Sequence, residues 1–480
     1  MSGAFANTAI PAARRFAAFA SGVQPPGEVL DAVGCQVLDT IGICLAGHTL
    51  HHRPRIENVA LSFGAGAATA LGSREPVSAP AAALFNGCLA HGLEADDTHI
   101  GAVMHGSSIL VPAALAAAEE QDADGQTLLW AVALGWEVAI RIGLGFPEAF
   151  FKNGFHATAL GGPFAAAVVA GVVRGLTEDQ FVSALGIAGS QSSGVFEFMT
   201  DGANSKWLHG GWPALGGLVA ASLAQSGMTG PETIFEGRAG FARAFARQED
   251  AATFVEACDD LGAVWHCRDV AVKLYPTCHF IQPFLECTEI LLRDTPADRI
   301  ASITCFVPEG AAALICEPWH VKLRPVTIYQ AKWSLPYCVA NLLVHGSIDV
   351  ATFDRQDPDE TVMAVANKVR FEVARTSFPR HLPGRIRAVL VDGVERTIAV
   401  DDVLGSPSRP LGNERLTRKF RDNTRASLIA GGADDVIAAV EGLRDGISAR
   451  DLGRTLRAAT IRPSGRAPSS PSSKVASSPV

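Results

Sequence analysis

The sequence predicts a mainly α protein, a large all-helical domain with a smaller α+β lid domain inserted into it. Three observations carry this. Apolar residues recur at helical spacing through roughly the first 265 residues, strand-like alternation begins only after about Val270, and helical patterning returns near Glu414 and runs to about Ala459. The implied organisation is a first helical part over 1–269, an α+β lid over 270–402, and a second helical part over 403–462. A Ser/Pro/Ala-rich tail over 463–480 lacks the apolar content to fold. With 480 residues the chain has room for two or three packed domains.

Each element follows from local chemistry. Leu30, Val33, Val37, Ile41 and Cys44 fall on one helical stripe. The loop Asp122-Ala-Asp-Gly125 precedes a helix starting near Thr127, and Ala113 to Ala118 favours helix by propensity. Thr177-Glu-Asp-Gln180 matches a capping box, in which hydroxyl and amide satisfy each other's free backbone N–H groups. The uncharged stretch from Phe155 to Val173 approaches the length of a membrane span. Ala and Gly dominate it, His156 interrupts it and Arg174 ends it, so it reads as a buried helix with small side chains for close packing. In the lid, Ile303, Cys305 and Val307 alternate, as do Val369, Phe371 and Val373. Asp392-Gly393 splits the segment 386–400 as a two-residue hairpin turn, and Ala331 to Leu343 reads as helix.

Composition excludes several function classes. Net charge is −9 with no basic run outside the tail, which argues against a nucleic-acid partner. No signal-peptide pattern opens the chain, and no membrane partner is expected. None of the ten cysteines forms a C-x-x-C pair, so they read as small buried hydrophobes in a reducing cytoplasm rather than as zinc ligands.

Four polar clusters interrupt apolar segments. The first, His91-Gly-Leu-Glu94-Ala-Asp96-Asp97-Thr98-His99 followed by Met104-His105, packs carboxylates and histidines between Ala-rich helices. Such a density serves metal binding or acid/base chemistry, and equally a solvated inter-helix loop. The second places His156 at the head of the uncharged helix, where the dipole lowers its proton affinity; a satisfied core histidine is the commoner use of that pattern. The third sets Lys206 and His209 among glycines, and suits a carboxylate held by a point charge or an ordinary Gly-rich loop. The fourth, Lys273-Leu-Tyr275-Pro-Thr-Cys278-His279, sits at the expected domain junction, where ligand sites and Pro-containing linkers both concentrate. No dinucleotide, P-loop, HExxH, nucleophile-elbow or pyridoxal-type pattern competes. That leaves chemistry that side chains perform without a cofactor. Lysines, histidines and clustered carboxylates together suit proton removal beside a carboxylate.

Taken in order, these blocks resemble the MmgE/PrpD family. Asn86-Gly-Cys-Leu-Ala-His91-Gly-Leu-Glu94-Ala-Asp96-Asp97-Thr98-His99 is similar to the family's N-G-x-x-x-H-x-x-D-x-D-D-T-H segment. Gly154-Phe-His156, Lys206-Trp-Leu-His209, Lys273-Leu-Tyr-Pro-Thr-Cys278 and Ala331-Lys-Trp-Ser-Leu-Pro-Tyr337 match later blocks, and the resemblance runs from about residue 30 to 425. It implies a helical domain with an α+β lid, a homodimer, no metal and a small anionic di- or tricarboxylate substrate. Known members include 2-methylcitrate dehydratase, cis-aconitate decarboxylase and iminodisuccinate epimerase, so the resemblance supports a reaction type better than a substrate. The expectation is a lyase, first a dehydratase of a 2-methylcitrate-like acid, with decarboxylase and epimerase as alternatives. A non-catalytic scaffold is disfavoured because unpaired buried lysines are costly to retain.

Carried over residue by residue, the resemblance assigns catalysis to His156, Lys206, Lys273, His105 and Glu94, and substrate contacts to Thr98, His209, Tyr275 and Asp97. His156 is the expected proton-transfer residue and His105 the second acid/base candidate. The two lysines are expected to hold carboxylates. Four positions depart from the family pattern. Glu94 stands where Asp is usual, Gly106-Ser107 where Pro-Ser is usual, and His279 and Gln282 where Arg and His are common.

Overall fold

Helix starts in the computed structural model, which describes residues 10–47, 50, 53–248, 251–355, 357–374 and 381–461, fall where capping chemistry places them. The expected tail over 463–480 lies outside the described residues. Thr177 and Gln180 form the reciprocal capping box of the Glu178–Gly189 helix. Asp124 accepts from Thr127 N and starts the next long helix at Gly125, two residues before the expected position. His156 is the N-cap residue of the Ala157–Arg174 helix, which stops at left-handed Gly175.

Among the described residues three helices, Gly27–Ala46, Gly125–Gly145 and Ala157–Arg174, are long and apolar enough to cross a membrane, yet 78%, 89% and 78% of their most apolar windows are buried within the fold. Helices that are apolar nearly all round belong in the middle of a bundle. Small residues let them approach. A Cβ on Gly87, in the Ala79–Gly92 helix, would stand 2.7 Å from the Cα of Gly211 in the Leu208–Gln225 helix. This contact sets the segment after Gly92 beside the segment that carries Lys206 and His209.

Two cores form. One joins helices between Ala12 and Val270 to Leu416, Phe420, Val436 and Leu456 from the end of the chain. The other gathers residues between Tyr275 and Val400, with Phe198 reaching in from the helical side. Its four-stranded sheet has the order Val369–Ala374, Ile300–Pro308, Gly384–Leu390, Glu395–Val400, with the first pair parallel and the others antiparallel. The hairpin turns at Asp392-Gly393, where Gly393 has φ +84°, a value that glycine adopts freely.

Two details differ from the sequence expectation. The segment from Ala331 to Leu343 is not one helix. Ile328–Lys332 ends, and Ser334 caps a new helix, Leu335–His345, by accepting from Tyr337 N at 3.1 Å. Pro336 explains the break, because it has no N–H to continue a helix and is tolerated in a first turn. The helical part also contains short strands. Thr98–His99 pairs antiparallel with Val270–Ala271 and ties the first polar cluster to the domain junction.

Candidate active site

The site is built around a buried carboxylate. After the Ala79–Gly92 helix, Glu94 takes φ 58°, a left-handed conformation that non-glycine residues rarely hold, and its side chain is turned inward until the residue is 1% exposed. Lys206 forms an ion pair with Glu94 Oε1, and the Tyr329 hydroxyl donates to the same oxygen at 2.6 Å. Lys273 Nζ lies 3.9 Å from Glu94 Oε2 and 3.8 Å from Asp96 Oδ1, and donates to the Glu94 carbonyl oxygen at 3.3 Å. Burial pushes the Glu94 carboxyl up, but Lys206 and Lys273 outweigh it and hold it at about 2. Asp96, 2.7 Å from His91 Nδ1, is likewise held low against its burial by His91 and Lys273. Lys332 donates to the Leu93 carbonyl at 2.8 Å. Burial lowers its ammonium to about 8, Glu94 opposing and Lys206 and Lys273 adding to the drop.

Histidines form the opposite chemistry. His105 Nδ1 lies 2.8 Å from the Asp97 carbonyl oxygen and 2.9 Å from Thr98 Oγ1. A carbonyl only accepts, so Nδ1 carries the proton and Nε2 presents its lone pair. Burial drives His105 down to about 3, against the pull of Asp96. His156 lies with its Nδ1 3.1 Å from His209 Nδ1, stacks on His91 at 5.3 Å and meets Phe196 edge-on at 5.1 Å. Burial, and then His91 and His209, depress it well below an ordinary histidine, and burial brings His209 to about 3. The His105 and His156 rings are 6.1 Å apart, so two uncharged imidazoles share one site.

A cavity opens between the two cores. Its helical wall carries Glu94, Thr98, His105, His156 and Phe196, and its lid wall carries Lys273, Cys278, His279, Phe280, Leu314 and Trp333. Five of the nine residues expected from the sequence therefore line it. Lys206 stands behind Glu94, stacked over Trp333 at 5.2 Å, and His209 stands behind His156. Asp97 backs His105 through its carbonyl. Its own carboxyl accepts from Ser107 N and is pushed up to about 8 by burial, with Asp96 and Asp39 adding to the rise. Tyr275 lies apart from these residues. It packs in the lid core with its hydroxyl on Glu289, and is not among the residues lining the cavity. Sequence reasoning marked His279 only as a departure from the family pattern, and did not assign Tyr329 or Lys332 to the site. The lysine in the apolar run Ile328 to Tyr337 was the available signal, because a lysine is buried only where it finds partners. Among the described residues no three His, Cys, Asp or Glu side chains gather as metal ligands do.

Residues 14–253 match the MmgE/PrpD N-terminal domain and residues 275–445 match the MmgE/PrpD C-terminal domain. The chain is 28% identical over 423 residues to a cis-aconitate decarboxylase of Aspergillus terreus, covering 82% of this chain and 85% of that protein. It is 26% identical over 420 residues to the cis-aconitate decarboxylase of Homo sapiens, covering 85% and 86%. The Mus musculus cis-aconitate decarboxylase is 26% identical over 451 residues, covering 89% and 88%. With both domain models matched across the helical part and the lid, the chain belongs to the MmgE/PrpD family.

Proposed function

We propose that this chain is a lyase that decarboxylates a small polycarboxylic acid of the cis-aconitate type, using side chains alone. The observation that carries the reading is that two histidines, His105 and His156, and Lys273 line one small cavity. Decarboxylation breaks the C–C bond to one carboxylate and releases CO2. The electron pair passes into the conjugated skeleton toward a second carboxylate, which Lys273 steadies as charge develops. One proton delivered to carbon completes the balance, so the product carries one negative charge fewer. His105 or His156 delivers that proton once the polyanion, on binding, has raised its proton affinity. The names of the relatives support this reading.

Dehydration of a 2-methylcitrate-like acid is the second reading, and the bare Nε2 lone pair of His105 favours it, since a neutral imidazole is ready to remove a proton beside a carboxylate. The test is proton NMR in deuterated buffer with cis-aconitate, 2-methylcitrate, citrate and an aspartate-derived imine. Deuterated decarboxylation product from cis-aconitate supports the first reading, a dehydration product the second, and exchange without net conversion an epimerase. No exchange and no product with any of them rejects carbanion chemistry here. The exposed apolar stripe Leu208, Trp212 and Val219 on the Leu208–Gln225 helix supports a homodimer through that face, and sedimentation of wild type against Trp212→Glu tests it.

A further inference from the structure

Among the described residues, one histidine ring on the lid wall is left without a hydrogen bond at either nitrogen. His279 opens the short turn that leads into the Gln282–Leu292 helix, and its residue is 5% exposed. Its ring borders the cavity, yet neither Nδ1 nor Nε2 has a hydrogen-bond partner among the described residues. A buried polar group normally finds a partner, so two orphaned nitrogens on one ring call for an explanation. Every other histidine of the cluster has one: His91 on Asp96, His105 on Asp97 and Thr98, His156 on His209. The loop is not loose, because Cys278 N donates to the Lys332 carbonyl at 3.0 Å.

The neighbouring candidate, Gln282, is occupied. Its Oε1 accepts from Leu274 N at 3.0 Å and its Nε2 donates to the Tyr275 carbonyl at 2.8 Å, so it braces the Lys273 loop. Other lid residues at the cavity, Phe280, Leu314 and Leu382, bring only carbon. His279 and Lys273 therefore supply the hydrogen-bonding nitrogens that this wall offers beside the Trp333 indole. Lys273 is already engaged with Glu94 and Asp96. The charged and titratable groups felt at His279 are Lys273 and His105, both disfavouring a positive ring, and Asp402 and Asp96, which favour one. Burial outweighs the latter two and keeps the ring uncharged.

We propose that His279 is a substrate-contacting residue, whose imidazole supplies a hydrogen bond to an oxygen at the lid-facing end of the bound carboxylic acid and so sets which substituent the cavity accepts there. The inference rests on the carboxylic-acid reading above. It adds a recognition point at a position where the family commonly carries arginine. An uncharged ring anchors an oxygen without adding a cation, so His279 selects by hydrogen-bond geometry where an arginine would select by charge.

The test is binding of cis-aconitate and of 2-methylcitrate by calorimetry to wild type, His279→Phe and His279→Asn, with steady-state kinetics on the substrate that turns over. The expected result is a Kd or KM raised about tenfold or more in His279→Phe, kcat changed far less, and recovery to within about threefold in His279→Asn. The ring 15N signals of His279 in the wild type should also move on addition of the acid. Unchanged affinity in His279→Phe, or ring signals indifferent to a bound acid, overturns the proposal, and the second readout stands even if a variant does not fold. Wild type that binds an acid without converting it removes the decarboxylase reading alone, since His279 is then read on binding. Wild type that binds none of the acids overturns both.

Discussion

Tyr329, in the lid, donates a 2.6 Å hydrogen bond to the same Glu94 oxygen that pairs with Lys206 from the helical domain, although 235 residues separate Tyr329 from Glu94. One buried carboxylate thus joins lid and bundle at the floor of the cavity. Removing its charge should release both sides. Glu94→Gln leaves Lys206 buried beside a neutral amide, and the expected loss of stability is ~3–5 kcal/mol in denaturant unfolding. Tyr329→Phe removes one bond to a charged group and should cost about 1.5–3 kcal/mol. A Glu94→Gln protein as stable as wild type would contradict the assigned role.

The same carboxylate makes an acid-stability prediction. Its folded value of about 2 lies below its ordinary 4.5, so its stabilisation is fully present above pH 4.5 and is lost as pH falls toward about 2. Asp97 works in the opposite direction. Raised from 3.8 to about 8, it penalises folding increasingly as pH rises through that window. Asp97→Asn, which keeps an acceptor for Ser107 N, should therefore raise Tm at pH 8 and change it little at pH 4. A Tm difference independent of pH would show that burial of Asp97 is not what the variant relieves.

His105 titration separates the two reaction readings. The free-enzyme ring is brought to about 3 by burial, so it is uncharged throughout the neutral range. If a neutral imidazole removes a proton, kcat/KM stays flat from neutral pH down to about 4 and falls only as pH approaches 3. If an imidazolium must deliver a proton, kcat/KM falls about tenfold per pH unit as pH rises across the neutral range, because the competent form becomes scarcer. The profile of purified enzyme on its substrate distinguishes these directly.

His156→Ala should lower kcat by about 10²- to 10⁴-fold, with unfolding still cooperative. His209→Ala should have a smaller effect, since His209 meets His156 and not the cavity. Near wild-type turnover in His156→Ala would remove His156 from the proton-transfer step.

The two site lysines should divide between KM and stability. Lys273 lines the cavity, and Lys273→Ala should raise KM by roughly 10- to 100-fold if it holds a ground-state carboxylate. Lys206 faces Glu94 and Trp333, so Lys206→Ala should act mainly as a destabilising change, visible in Tm before KM. Equal KM effects from both would place Lys206 on the ligand as well.

Local chemistry made much of the fold legible. The capping box at Thr177, the turn at Asp392-Gly393, the alternation at Ile303 and Val369 and the helical stripe from Leu30 depend on neighbours within a few residues, so sequence alone places them. The break at Trp333–Ser334 was equally local, but Pro336 had to be weighed against the apolar run that masked it. The polar clusters were visible because each interrupts an apolar segment, and a charge set among apolar residues needs a partner wherever it ends up. Which partner it finds was decided only in three dimensions. Glu94 meets Lys206 and Tyr329, His156 meets His209, and Tyr275 turns to Glu289 because helices packed through Gly87 and Gly211, and a lid docked through two short strands, bring distant segments together. Sequence determined which groups must be buried; packing decided which of them face one another, and so which ring, His279, was left without a hydrogen-bond partner among the described residues.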